Sequence, residues 1–211
     1  MDVVVVGGHG KIGLRLLALL AERGDRARGV IRKPEQAADL EARGGEAVVC
    51  DIESEDLTDA VKGADAVVFA AGAGPGSGPE RKRTVDLGGA VKLIEAAKAN
   101  GIERYAIVSS INADRPGNWS ERMRPYFEAK AEADEHVAGS GLGYTIVRPG
   151  YLTDEPGTGL VTVGESLEGG EVSRDDVAAA LAAALVAENT IGKGFDLIGG
   201  DTPVADAVRA I

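Results

Sequence analysis

The chain has 211 residues, 44% of them hydrophobic, enough for one domain with a single sizeable core and too few for two. A net charge of −11 argues against nucleic acid or an anionic membrane surface as partner, since both need a clustered basic face. No apolar stretch approaches the length of a transmembrane helix, and the single cysteine, Cys50, permits no internal disulfide, which suits a reducing cytoplasm.

Apolar runs alternate with helix-period segments along the chain, the pattern of a parallel sheet covered on both faces. Strands are expected at residues 3–6, 27–31, 46–49, 66–69, 105–108, 144–147 and near 195–198. Helices are expected at 11–23, 34–43, 57–62, 80–100, 121–139 and 174–187, the last begun by Ser173 with Asp175 and Asp176 in its first turn. The opening run at 3–6 is too short for a signal-peptide core and follows no basic segment. Two Gly-rich segments, 71–79 and 149–170, fall beyond strand ends, where they are either ordinary loops or cofactor contacts and lids.

The run Gly7-Gly8-His9-Gly10-Lys11-Ile12-Gly13 follows the first strand and opens the first helix. In that context Gly7 permits the tight turn, Gly10 lets the backbone approach a pyrophosphate, and Gly13 lets the helix pack on the strand. The unpaired N–H groups of the helix's first turn then face the anion, Lys11 adds charge, and His9 reads as a loop residue making local contacts. The expected fold is therefore α/β: a Rossmann-type, doubly wound parallel sheet in three αβα layers. It makes a single domain over residues 1–211, with small substrate-side loops at about 150–172.

The second strand ends Val30-Ile31-Arg32-Lys33-Pro34, with two cations where an NAD site wants an acid for its ribose hydroxyl. Arg32 can grip a 2′-phosphate in a two-pronged contact with Lys33 beside it, so NADP(H) is the expected cofactor. Asp51 and Ile52, after the third strand, are placed to meet the adenine.

Taken with Val108-Ser109-Ser110, Tyr126 to Lys130, Ala133-Asp134, the run Tyr144-Thr145-Ile146-Val147-Arg148-Pro149-Gly150 and Ser173 to Ala178, these residues resemble the atypical short-chain dehydrogenase/reductases. The likeness is to the NAD(P)-binding group around NmrA-like proteins and flavin (biliverdin IXβ) reductases, and it covers essentially the whole chain. It implies that Pro149, Gly150, Tyr151 and Leu152 border the nicotinamide, and that Ala70, Ala71 and Gly72 run beside the cofactor's ribose and phosphates, with Ser109 nearby. Tyr126 and Lys130 have the Tyr-x-x-x-Lys spacing of the wider superfamily and share one helix face. Lys130 would bind the ribose and assist the phenol, Tyr126 would protonate a carbonyl oxygen, and Ser110 would hydrogen-bond it. The alternative is an incidental surface pair.

His136 reads as surface or packing, Trp119 and Tyr151 as pocket walls or packing, and no cluster has metal-ligand spacing. The leading expectation is an NADPH-dependent oxidoreductase acting on a small carbonyl, quinone or flavin-like acceptor, as monomer or homodimer. A non-enzymatic NADP(H) sensor is the alternative, and a sugar-nucleotide epimerase or dehydratase ranks lower because few residues follow Pro149. The acceptor pocket is expected from loops 71–79, 112–119 and 151–170.

Overall fold

The computed structural model describes residues 1–74 and 76–211. Eleven strands form among them: β1 (Asp2–Val6), β2 (Arg26–Ile31), β3 (Glu46–Val49), β4 (Ala66–Phe69), β5 (Arg104–Val108), β6 (Gly143–Pro149), β7 (Tyr151–Thr153), β8 (Leu160–Gly164), β9 (Glu171–Ser173), β10 (Lys193–Gly199) and β11 (Thr202–Pro203). Nine make one sheet in the order β11-β8-β10-β6-β5-β4-β1-β2-β3, while β7 and β9 pair separately. From β3 across to β10 every pair is parallel, and β8 is antiparallel to β10 and β11.

Parallel neighbours need crossovers, which place helices on both faces. The helices are α1 (Lys11–Glu22), α2 (Ala37–Glu41), α3 (Pro79–Arg81), α4 (Gly88–Ala99), α5 (Arg124–Ala138), α6 (Arg174–Val186) and α7 (Val204–Arg209). The period-2 alternation of β1 divides the core between them. Val3 and Val5 pack with Leu16, Leu17 and Leu20 of α1 and Leu181 of α6; Val4 and Val6 pack with Leu93 and Ile94 of α4. Each such aliphatic contributes about 1.5–3 kcal/mol by burial. In β5, Ala106 and Val108 face the α1/α6 layer, while Tyr105 and Ile107 face the α4/α5 layer. Strand order reverses between β1 and β4, and ligands of such sheets bind at the carboxyl edge there.

The expected sheet and most helices form, and Ser173 caps α6 by accepting the Asp175 N–H at 3.0 Å. Four departures have physical reasons. Residues 57–62 form turns instead of a helix, since a six-residue segment stopped by Gly63 (φ +74°) cannot offset the cost of nucleation. Residues 80–100 form no continuous α-helix: α3 leads into a π-helical turn, Lys82–Leu87, before α4. The 149–170 segment supplies β7 and β8, the latter through pairing with the distant β10. Val204, Ala207 and Val208 bury one face of α7, a helix too short to show a period in sequence. Among the described residues, no helix is long and apolar enough to cross a membrane.

Candidate functional site

Gly7 ends β1 in the left-handed region (φ +88°), where a Cβ would stand 2.7 Å from the Ala71 nitrogen. A Cβ on Gly13 would stand 2.2 Å from the Gly7 carbonyl oxygen, so both positions admit glycine alone without rearrangement. Gly10 begins α1, and no side chain caps the first-turn N–H groups there. Those donors and the positive end of the helix dipole suit an anion, and the side-chain-free cradle in front of them fits a pyrophosphate.

The cradle opens on a cleft of about 1040 Å³ along the carboxyl ends of β1, β2, β4 and β5. Of the residues singled out in the sequence, Gly7, His9, Gly10, Lys11, Ile12, Arg32, Asp51, Ile52, Ala70, Ala71, Gly72, Ser109, Tyr126, Lys130 and Leu152 line it. His9 is tied locally, with Nε2 2.7 Å from Asp39 and Nδ1 3.0 Å from the Gln36 amide. Asp51 accepts the Glu53 N–H at 3.0 Å. Lys11 lies 2.5 Å from Asp154, which also holds Arg174 at 2.9 Å, and these cations keep the Asp154 carboxyl below the usual carboxylate range.

Six expected residues lie elsewhere. Gly13 acts from behind the cleft, in the contact between α1 and the loop. Lys33 turns to Glu35, 3.7 Å away. Pro149 is buried in β6, accepting the Ile111 N–H at 2.9 Å, and Gly150 packs against the Gly170 carbonyl, 2.2 Å from where its Cβ would be. Tyr151 is 73% exposed on β7. Ser110 follows Ala106 and Val108 in period-2 alternation toward the α1/α6 layer, and its hydroxyl reaches the Ile111 carbonyl at 3.4 Å. Ser109 shares the face of Tyr105 and Ile107, so it and not Ser110 is the serine that lines the cleft with Tyr126 and Lys130.

Trp119 is not a cleft wall either: it stacks on Phe127 with ring centroids 5.8 Å apart and donates to the Asn112 carbonyl at 2.7 Å. His136 is exposed on α5. The Tyr126 end of the cleft is walled by segment 71–79, of which Pro75 lies outside the described residues, by Arg122, Met123, Pro125 and Tyr126, and by Leu152. Loop 112–119 takes no part in it.

The residues that sequence reasoning missed come mostly from the π-helical turn and its approach. Inserting a residue into a helical turn re-aims side chains, which is why such turns recur at functional sites. Asp86 from this turn is buried, accepts the Ala73 N–H at 3.0 Å and sits 3.4 Å from the Lys130 ammonium. Lys130 also donates to the Val108 carbonyl at 3.1 Å. Burial opposes charge on Lys130, but Tyr126, Asp86 and Asp134 together raise its pKa, so it is held as an ammonium ion. Asp134, one helical turn further, is pushed up by burial against the pull of Arg148, which donates to it at 2.9 Å. The Ser109 hydroxyl pulls the Asp134 pKa down, yet neither Ser109 Oγ nor Asp134 Oδ1 completes a hydrogen bond. Lys82 lies over the Tyr126 ring, 5.3 Å from its centroid. Arg81 donates to Glu53 at 2.7 Å, lowering that carboxyl's pKa, and Arg32 stands 3.8 Å from the same group.

A family model described as NAD(P)H-binding matches residues 7–188. The chain is 46% identical over 214 residues to an uncharacterized sugar epimerase, YhfK, of Bacillus subtilis, with 100% of both chains covered. Among solved structures, a candidate NAD-dependent epimerase/dehydratase from Bacillus halodurans matches with a TM-score of 0.96 at 41% identity, covering 100% of each chain. ChuY, an anaerobillin reductase from Escherichia coli O157:H7, matches with a TM-score of 0.82 at 25% identity, over 95% of this chain and 98% of that one.

Proposed function

The chain belongs to the NAD(P)H-binding family and has the Rossmann-like α/β fold of its reductase neighbours, and we propose that it is an NADPH-dependent oxidoreductase acting on a small carbonyl, quinone or flavin-like acceptor. One observation carries the reading: a single cleft joins the glycine cradle to Tyr126 and to a buried, charged Lys130. Bound NADPH supplies the hydride. The first turn of α1 holds the pyrophosphate, Arg32 grips the 2′-phosphate, and Asp51 with Ile52 meets the adenine. Lys130 binds the nicotinamide ribose, and its charge stabilises the phenolate left when Tyr126 gives a proton to the acceptor oxygen. Ser109 lines the cleft beside Lys130, with its Oγ buried against Asp134. A flavin-like acceptor needs no such acid for the hydride step.

Incubation with NADPH and a panel of flavins, quinones and aldehydes tests this by loss of the cofactor's near-ultraviolet absorbance. Turnover with at least one class is expected; no loss with any of them overturns the reading.

The names carried by the Bacillus relatives favour a second reading, a nucleotide-sugar epimerase or dehydratase. Against it stands the use made of the residues after β6. β8, β10 and β11 extend the central sheet and α7 covers them, so they build no separate substrate lobe. An epimerase would purify with tightly retained oxidised NAD and interconvert sugar nucleotides without net NADPH loss.

A further inference from the structure

Two guanidinium groups from separate segments converge on one carboxylate in the wall of the cleft. Arg32 follows β2, Arg81 ends α3, and Glu53 belongs to the loop after β3; all three line the cleft. A single Glu53 oxygen, Oε2, accepts from Arg81 at 2.7 Å and stands 3.8 Å from Arg32, beyond hydrogen-bond reach. Thr84 donates to the other oxygen at 2.9 Å, and Asp51 adds a weaker attraction to Arg81. The loop that carries Glu53 is itself pinned. Lys92 on α4 spends its three donors on the carbonyls of Ile52, Glu53 and Glu55, at 2.9, 3.0 and 3.2 Å. An anchored carboxylate beside Arg32 opposes an incoming phosphate, so its place there needs a use. Its use lies with the cations. Both arginines remain about half exposed, and Glu53 occupies only one of Arg81's five N–H groups. Lys33, the cation next to Arg32 in sequence, is turned to Glu35 instead.

We infer that the cofactor's 2′-phosphate is held between Arg32 and Arg81, and that Glu53 keeps this pair gathered and yields its place to the phosphate. The inference rests on the NADPH reading above and gives it a second arginine, from a segment far along the chain. A phosphate touching Arg32 comes within reach of Arg81, because both side chains already approach one oxygen atom. A guanidinium donates to carboxylate or phosphate in the same two-pronged geometry, so Arg81 exchanges one for the other by side-chain rotation alone. Glu53 keeps its bond from Thr84 throughout and leaves one negative charge beside the phosphate, which tempers the affinity.

The test uses two probes, adenosine 2′,5′-bisphosphate and 5′-AMP, which differ only by the 2′-phosphate and need no turnover. Their binding to the full chain and to its Arg81→Gln, Glu53→Gln and Arg32→Ala variants is measured by calorimetry. The unaltered protein should prefer the bisphosphate. Arg81→Gln should weaken the bisphosphate about fivefold at low ionic strength, the range of a partly exposed charge contact, and leave 5′-AMP unchanged. Glu53→Gln keeps an acceptor for Thr84 and removes the competing charge, so it should tighten the bisphosphate about two- to fivefold, again sparing 5′-AMP. Both effects should shrink as salt is added. Unchanged 5′-AMP affinity also shows that each variant is folded. If Arg81→Gln has no effect, or weakens the two probes equally, while Arg32→Ala weakens the bisphosphate alone, the inference is overturned and the NADPH reading stands. A Glu53→Gln variant that binds the bisphosphate more weakly overturns the part given to Glu53. No preference for the bisphosphate in the unaltered protein overturns the NADPH reading, and the inference with it.

Discussion

Asp86→Asn removes one charge from the cleft floor and leaves the shape and the acceptor for the Ala73 N–H in place. Lys130, 4% exposed, then keeps its carbonyl contact but loses the carboxylate 3.4 Å away. Breaking a buried ion pair by removing one partner costs about 3–5 kcal/mol. The field of Asp134 persists, so the lower end of that range, about 3 kcal/mol, is the expected loss. In a chain of this size each kcal/mol moves the melting midpoint by about 2–4 °C, giving a drop of about 6–12 °C. Lys130→Met should be costly for the complementary reason, since it strands the Asp86 carboxylate. The double variant has no orphaned charge, and replacing a buried pair by neutral groups is often near neutral. Denaturant unfolding of the four proteins therefore should give a coupling of at least about 1.5 kcal/mol, the double variant being more stable than the sum of the singles predicts. Additive costs, with coupling below about 0.5 kcal/mol, would refute the claim that Asp86 holds Lys130 as an ammonium ion.

Arg32→Ala should weaken NADPH binding about tenfold while sparing NADH, the side chain being half exposed; equal weakening of the two removes Arg32 from the 2′-phosphate. Asp154→Asn should release Lys11 and Arg174 toward the cofactor and tighten NADP⁺ binding about two- to fivefold at low salt. Weaker binding would instead mean that Asp154 orients Lys11. Stability should decline above about pH 10. Tyr105, fully buried with its hydroxyl donating to the Ala90 carbonyl at 3.1 Å, and Lys130 both have pKa values raised in the folded state, Tyr105 by burial. The unfolded chain then loses those protons first, so stability present below the unfolded pKa is lost as pH rises toward the folded one. Tyr105→Phe, about 1 kcal/mol less stable at neutral pH, should flatten the alkaline decline of the denaturant midpoint; an unchanged slope excludes Tyr105 as a source.

The glycine-cradle end of the cleft was legible because its determinants are local. Gly7, Gly10 and Gly13 sit in seven consecutive residues, and Arg32 sits at the end of the next strand, so strand–turn–helix periodicity alone places them. The Tyr126 end depends on contacts between distant segments. Asp86 meets Lys130 across 44 positions, and a π-helical turn that no hydrophobic period announces sets the geometry. The strand β8 likewise needs β10 before its alternation means anything. Arg148, in the run most suggestive of a family, proved to be an anchor: it ties β6 to Asp134 on α5 and to Asp114 at 3.0 Å.

The choice between Ser109 and Ser110 shows where sequence reasoning stops and where it could have gone further. Adjacent strand residues point to opposite faces, so deciding between them requires knowing which face α5 covers. The alternation of Tyr105, Ile107 and Ser109 was available, but not the identity of the covering helix. Once α5 packs on that side with Ala133 and Val137 against Tyr105 and Ile107, Ser109 follows without further assumption. The same packing brings Lys130 against the β5 carbonyl of Val108 and aligns Tyr126, one turn earlier, with the open cleft. Four residues apart on one helix face, Lys130 lies in the buried floor of the cleft and Tyr126 at its rim, the placement that the proposed proton transfer to an acceptor needs.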